Sequence, residues 1–319
     1  MIRAFWHGLM AAILLAPFAP AAAGYPERPI RLIVPFVAGG SIDRVARLLA
    51  ERIQARVGQP VIVDNRTGAT GNIGTQAVVA APPDGYTLLM QTSALAITPW
   101  LSRLPFDVER DLVPVTRIAR TPYALVVRTS LPVESFEAFV AYAAAHPGKL
   151  TCSSYGVGSP PHLALELIKQ AASVEIVHAP YRSFSQAAPS LASGQLDCGI
   201  DTPTNVQPLV DMGTVRVLGV TSAEPFFLFP SAQPMARRYP GTEIEGFQLL
   251  FAARGTPPDV VDRIHAEFAR VLRDPDVEKQ LRGMGFVPVG DDPRSAAAGF
   301  AKDYARFGQL IKERGIRAE

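Results

Sequence analysis

Charge is scarce in this sequence and almost evenly signed. Only 19% of its 319 residues are Asp, Glu, Lys or Arg, 31 basic against 29 acidic, for a formal net charge of +2. No long Lys/Arg run occurs, which argues against nucleic acid or another polyanion as a partner. Cysteine is scarcer still. Cys152 and Cys198 are the only two, too few for a disulfide-dense framework. The signatures H-E-x-x-H, G-x-S-x-G and C-x-x-C are missing, so no motif for zinc, serine-hydrolase or dithiol chemistry is present. Beyond residue 23 the four histidines, His146, His162, His178 and His265, stand at no metal-ligand spacing from one another or from cysteine. No apolar run after that point is long enough to cross a bilayer. What is present is a well-packed composition, 48% hydrophobic, in a chain long enough for two domains.

Residues 1–23 read as a secretory signal peptide. Arg3 gives a basic start, Leu9 to Phe18 an apolar run, and Ala21-Ala22-Ala23 a small-residue cleavage site. Export permits a disulfide between Cys152 and Cys198, and two buried free thiols are the alternative.

The remaining chain alternates short apolar runs with helical periodicity. Strands are expected at Ile30 to Phe36, Val61 to Asp64 and Tyr86 to Met90. A helix with Val45, Leu49, Ile53 and Val57 on one face lies between the first two. This order predicts a parallel sheet covered by helices. A second series runs through Tyr123 to Val127, Leu150 to Ser154, Ile176 to Ala179, Asp197 to Asp201 and Val215 to Val220. The stretch Thr221 to Gly246 is irregular, with four prolines. After it, Phe247 to Ala253 reads as a strand and Pro257-Pro258 opens a helix. A last helix carries Phe300, Tyr304, Phe307 and Ile311. These final helices need a sheet to cover, and the N-terminal one is available. The expectation is two α/β lobes: residues 24–120 with 222–319, and residues 121–221. Two crossings would form a hinge beside an interlobe cleft.

Ligands of open parallel sheets sit beyond the carboxyl ends of strands, where helices begin. Four such junctions stand out: Pro35 to Asp43, Asp64 to Gly74, Ser153 to His162, and Pro180 to Ser185. Glycines there let backbone N–H groups approach a ligand, and helix starts favour anions. Ser41 or Asp43 is a candidate cap for the first helix, and Ser159 for the helix that begins at Pro160. Asp201 closes a strand. It is placed either to accept hydrogen bonds from a ligand or to serve as a turn residue before Pro203. No base is recognisable within reach of Ser154 or Asp201, which argues against an exported enzyme.

These residues resemble the Bug family of periplasmic solute-binding proteins, receptors of tripartite tricarboxylate transporters. The resemblance runs from about Tyr25 to Gly315. It rests on Tyr25-Pro26 with Pro29-Ile30, the Pro35 to Asp43 loop, Gly71-Asn72-Ile73-Gly74, Pro83-Asp84-Gly85-Tyr86, Gly156-x-Gly158-Ser159, Pro180-Tyr181 and Gly255-Thr256-Pro257-Pro258. It implies a two-lobed, type II-like Venus flytrap with no cofactor, no metal and no catalytic residue. The expected ligand is a small carboxylate: a dicarboxylate, an amino acid or an aromatic acid. Membrane transporter subunits, or a sensor kinase, would be the partners of a monomeric receptor. The implied ligand contacts are Phe36, Val37, Ala38, Gly39, Gly40, Thr92, Ser93, Ser154, Tyr155, Gly156, Ser159, Ser183, Phe184 and Asp201. Val37-Ala38 replaces the family's Pro-Pro pair. Tyr155 and Phe184, bulkier than the family pattern, would crowd the cleft or stack on an aromatic ligand.

Overall fold

The computed structural model describes residues 24–317, and the expected signal peptide lies outside them. Two mixed sheets organise the chain. β1 (Ile30–Val34), α1 (Ser41–Val57), β2 (Val61–Asn65), α2 (Asn72–Val79), β3 (Thr87–Thr92) and α3 (Ala94–Leu101) open the first half. Val45, Leu49 and Ile53 are fully buried on α1, and Gly58 ends that helix with φ 69°, a conformation glycine adopts without strain.

The chain then runs through β4 (Leu112–Pro122) straight into β5 (Ala124–Arg128), and so passes from one sheet to the other. The second series is α4 (Phe136–Ala145), β6 (Thr151–Ser154), α5 (Pro160–Ala172), β7 (Val177–Pro180), α6 (Phe184–Ser193), β8 (Cys198–Asp201), α7 (Pro203–Asp211) and β9 (Val215–Val220). An irregular stretch leads back to β10 (Glu245–Ala253), α8 (Pro258–Leu272), α9 (Pro275–Gly283), β11 (Val287–Pro288) and α10 (Pro293–Glu313).

The larger sheet has the order β11-β4-β10-β3-β1-β2, the smaller β7-β6-β8-β5-β9. β1 pairs in parallel with β2 and β3, and β6 with β7 and β8. The crossing strands run the other way: β10 is antiparallel to both β3 and β4, and β5 to both β8 and β9. The sheets are therefore mixed rather than parallel throughout. β4 is an addition to the expected strands. Its Pro114, Arg117 and Arg120 disguise it, and two bulges against β10 absorb the irregular pattern. Its apolar residues Leu112, Val115 and Ile118 are buried, and α8 and α10 cover it. α9 is a second addition. Asp274 caps it by accepting from the amides of Asp276 and Val277.

Three apolar clusters hold the molecule. One fills the space between α1, α8 and the larger sheet. Another lies under α6 and α7 on the smaller sheet. The third is continuous through both halves, from Leu89 and Phe251 to Phe139 and Ile168. Each fully buried large side chain contributes about 1.5–3 kcal/mol. Cys152 and Cys198 are register partners on β6 and β8, and both are buried free thiols. No described helix is long and apolar enough to cross a membrane.

Candidate ligand-binding cleft

A cavity of about 520 Å³ lies where the carboxyl ends of β1, β3 and β6 meet. A second space of about 480 Å³ adjoins it, and Ser41, Tyr155, Thr202 and Phe286 line both. The two form one crevice between the lobes.

The first loop enters it through a single residue. Asp43 is buried on α1. One of its oxygens accepts from the Gly39 amide at 2.8 Å and from Arg47 Nε at 2.9 Å. The other accepts from Asn65 Nδ2 at 2.9 Å, and that same amide donates to the Phe36 carbonyl at 3.1 Å. Burial alone would raise the Asp43 pKa, but these hydrogen bonds outweigh it and hold the carboxyl below its ordinary value. The loop is thus drawn onto its own helix. Phe36 lines the cavity. Val37 is 68% exposed, and Ala38 and Gly39 face solvent. Val37, Ala38, Gly39 and Gly40 do not line the crevice, and Ser41, the first residue of α1, lines it instead.

Thr92 and Ser93 line the cavity. Gln91 Oε1 accepts from the Thr92 amide at 2.8 Å, and Thr92 Oγ1 accepts from the amide of Ala94 at the start of α3. On the other side, Tyr155 and Ser159 line it too. Ser159 Oγ caps α5, accepting from the His162 amide, and donates to the Gly156 carbonyl at 2.7 Å. Gly156 and Ser154 do not line the cavity. Ser154 is buried, with its Oγ 2.7 Å from His178 Nε2. That histidine stacks on His162 with ring centroids 3.9 Å apart. A base is therefore within reach of Ser154 after all, but the hydroxyl does not line the cavity and supports the loop from beneath.

Two expected contacts lie elsewhere. Phe184 is buried in the cluster under α6, so close to Gly199 that a Cβ there would be 3.0 Å from the ring. Its size serves helix packing, not a ligand. Ser183 is exposed and its Oγ pairs with Ser185 Oγ.

Asp201 lines the second space. One oxygen accepts from the Thr202 amide at 2.6 Å and from Asn205 Nδ2 at 2.8 Å, a turn-type role. The other is buried with no partner. Burial dominates and pushes its pKa up to about 6, against the opposing effect of these hydrogen bonds.

The sequence reading did not single out Tyr123, Gln248 or Phe247 as ligand contacts, yet they line the cavity on or beside the crossing strands β5 and β10. Tyr123 and Tyr155 line the cavity together with Ser93. Burial keeps both tyrosines protonated by raising their pKa values. No Lys or Arg lines the larger chamber, and the described residues hold no cluster of metal-ligating side chains. The cavity offers hydroxyls, amides at two helix starts and apolar walls. Such a surface can bind an acid without transforming it.

The sequence pattern described as "Tripartite tricarboxylate transporter family receptor" matches residues 45–316. The chain belongs to this receptor family. It is 36% identical over 297 residues to a Pseudomonas sp. (strain P51) protein, "UPF0065 protein in tcbD-tcbE intergenic region", covering 92% of this chain and 88% of that one. It is 33% identical over 297 residues to "Protein BugT" of Bordetella pertussis, 92% of this chain and 91% of that one. Among solved structures it is similar to "R. palustris Rpa4515 with adipate", with TM-score 0.77 and 33% identity over 92% of this chain and all of the other. It is also similar to MatC of Rhodopseudomonas palustris with bound malate, with TM-score 0.70 and 28% identity over 90% of this chain and all of the other. The two-lobed fold of a periplasmic binding protein, expected from the sequence, is therefore this family receptor's fold.

Proposed function

We propose that this receptor closes over one small organic acid and delivers it to membrane transporter subunits. Residues 24–120 with 222–319 would move as one lobe and residues 121–221 as the other, in an exported monomer freed of residues 1–23. One observation carries the reading. The turns that start α3 and α5, one from each sheet, bring Ser93 and Ser159 to the same cavity. The acid's carboxylate would sit at the neck between the chambers, among Ser41, Tyr155, Thr202 and Ser159, held by hydroxyls and helix-start amides. Contacts made to both lobes favour the closed state over the open one. Related receptors solved with adipate and malate add support.

Thermal melting with a panel of mono- and dicarboxylates tests it. An acid at a hundred times its dissociation constant adds about 2.7 kcal/mol to the folded state. Melting curves that ignore every acid in the panel would overturn the proposal.

A further inference from the structure

The two chambers differ in character. The larger has apolar walls, Phe36, Ile97, Leu101, Val157 and Phe247 among them. Its volume of about 520 Å³ falls in the range of pockets that enclose ligands much larger than a four-carbon diacid. The smaller carries both charges of the crevice: Asp201 on β8 from one lobe and Arg44 on α1 from the other. Arg44 forms no ion pair among the described residues. Asp201 is nearly fully buried, and one of its carboxylate oxygens has no donor. A buried acceptor left unmet is costly, and a buried charge more so, until a partner of opposite charge arrives.

A plain carboxylate answers only half of this chamber. It matches Arg44 and is repelled by Asp201. A hydroxy acid supplies a donor to Asp201 and leaves the negative charge uncompensated. A zwitterion answers both groups at once. From this we infer that the ligand is an α-amino acid with a large apolar or aromatic side chain. Its ammonium group meets Asp201, its carboxylate lies at the neck toward Arg44, and its side chain fills the larger chamber. The inference rests on the receptor reading above and narrows it. Gln248 lines the larger chamber with a carboxamide oxygen that has no partner, leaving a polar group free for a substituent on that side chain.

Isothermal titration of the mature protein with L-phenylalanine, L-leucine, 3-phenyllactate, 3-phenylpropanoate, adipate and malate separates the readings. The expected order is L-phenylalanine, then 3-phenyllactate, then 3-phenylpropanoate, with at least tenfold between the first and last. In Asp201→Asn the amino acids lose tenfold or more, while 3-phenylpropanoate binds as well or better. Arg44→Gln, at an exposed position, weakens every acid. The inference is overturned if 3-phenylpropanoate matches L-phenylalanine on the wild type, or if Asp201→Asn weakens both equally. Binding of adipate or malate alone also removes it but leaves the receptor reading standing. Silence from all six acids removes both.

Discussion

Tyr123 and Thr221 bind the two crossing segments to each other. The Tyr123 amide donates to Thr221 Oγ1 at 2.8 Å, and the Thr221 amide donates back to the Tyr123 carbonyl at 2.9 Å. The Thr221 carbonyl then accepts from the Ile244 amide at 3.1 Å. Both residues are almost fully buried, so these bonds are shielded from water. The chain passes between the two sheets at these segments. Thr221→Val preserves shape but leaves the Tyr123 amide without a partner. The expected loss is about 1–3 kcal/mol, read from urea unfolding, while Thr221→Ser stays near wild type. A valine variant as stable as the parent would show that the hydroxyl contributes nothing to the strap.

Asp201 gives the second prediction. Its folded pKa of about 6 lies above the ordinary 3.8. The folded protein therefore holds a proton between roughly pH 4 and 6 that the unfolded chain has released. Stability due to this group falls as pH rises through that window, and the full cost is present above pH 6. Asp201→Asn can keep the acceptor for the Thr202 amide and for Asn205 while removing the buried charge. The ligand-free variant should gain on the order of 2–3 kcal/mol at pH 7.5 and nothing at pH 3.5. Thermal melts at the two pH values check this, and an equal gain at both would rule out the titration as its source.

The stacked histidines act in the opposite sense. Burial leads the causes that lower the pKa of His162 to about 4, and burial also lowers that of His178. Between pH 6.5 and about 4 the unfolded chain takes up protons that the folded protein refuses, so stability falls on acidification. Glu166, which pairs with Lys169 and Arg314 on the same side, offsets only part of this. His162→Asn, whose side-chain oxygen can still accept from the Gly158 amide, should flatten the loss between pH 7 and 5. Asp201→Asn should steepen it, because the compensating carboxyl is gone. Melting temperature against pH for the three proteins reads both slopes.

Much of this architecture was legible because it rests on local pattern. The spacing of Val45, Leu49 and Ile53 fixed α1, and the Pro257-Pro258 start fixed α8. The resemblance located Thr92, Ser93, Tyr155 and Ser159, four residues that line the cavity. The failures have a common cause. Val37 sits in a turn that the buried Asp43 draws onto its own helix, and Phe184 opens a helix whose first turn lines neither chamber and packs against a glycine on β8. Tyr123 lies between β4 and β5 and Gln248 within β10, and only the tertiary arrangement brings them to the crevice. The pairing of Ser154 with His178 spans 24 residues and two strands, and no spacing rule announces it.

The fourth prediction concerns closure itself. Gly158 has φ +73° and lies against the end of α3, where a Cβ would run into the Leu101 side chain from the other lobe. Gly285 meets Thr204 across the crevice in the same way, a Cβ falling 2.5 Å from Thr204 Cγ2. Glycine at both points lets the lobes approach, and the φ at Gly158 disfavours any side chain. Gly158→Ala should therefore hold the lobes apart and weaken whichever acid the melting panel identifies by tenfold or more, with the scattering radius of the saturated protein staying larger than that of wild type. Leu101→Ala in the same chain removes the obstruction though not the backbone strain, and part of the affinity should return. If Gly158→Ala binds like wild type, the contact between Gly158 and Leu101 is not needed for the bound state, and closure must be secured elsewhere along the crevice.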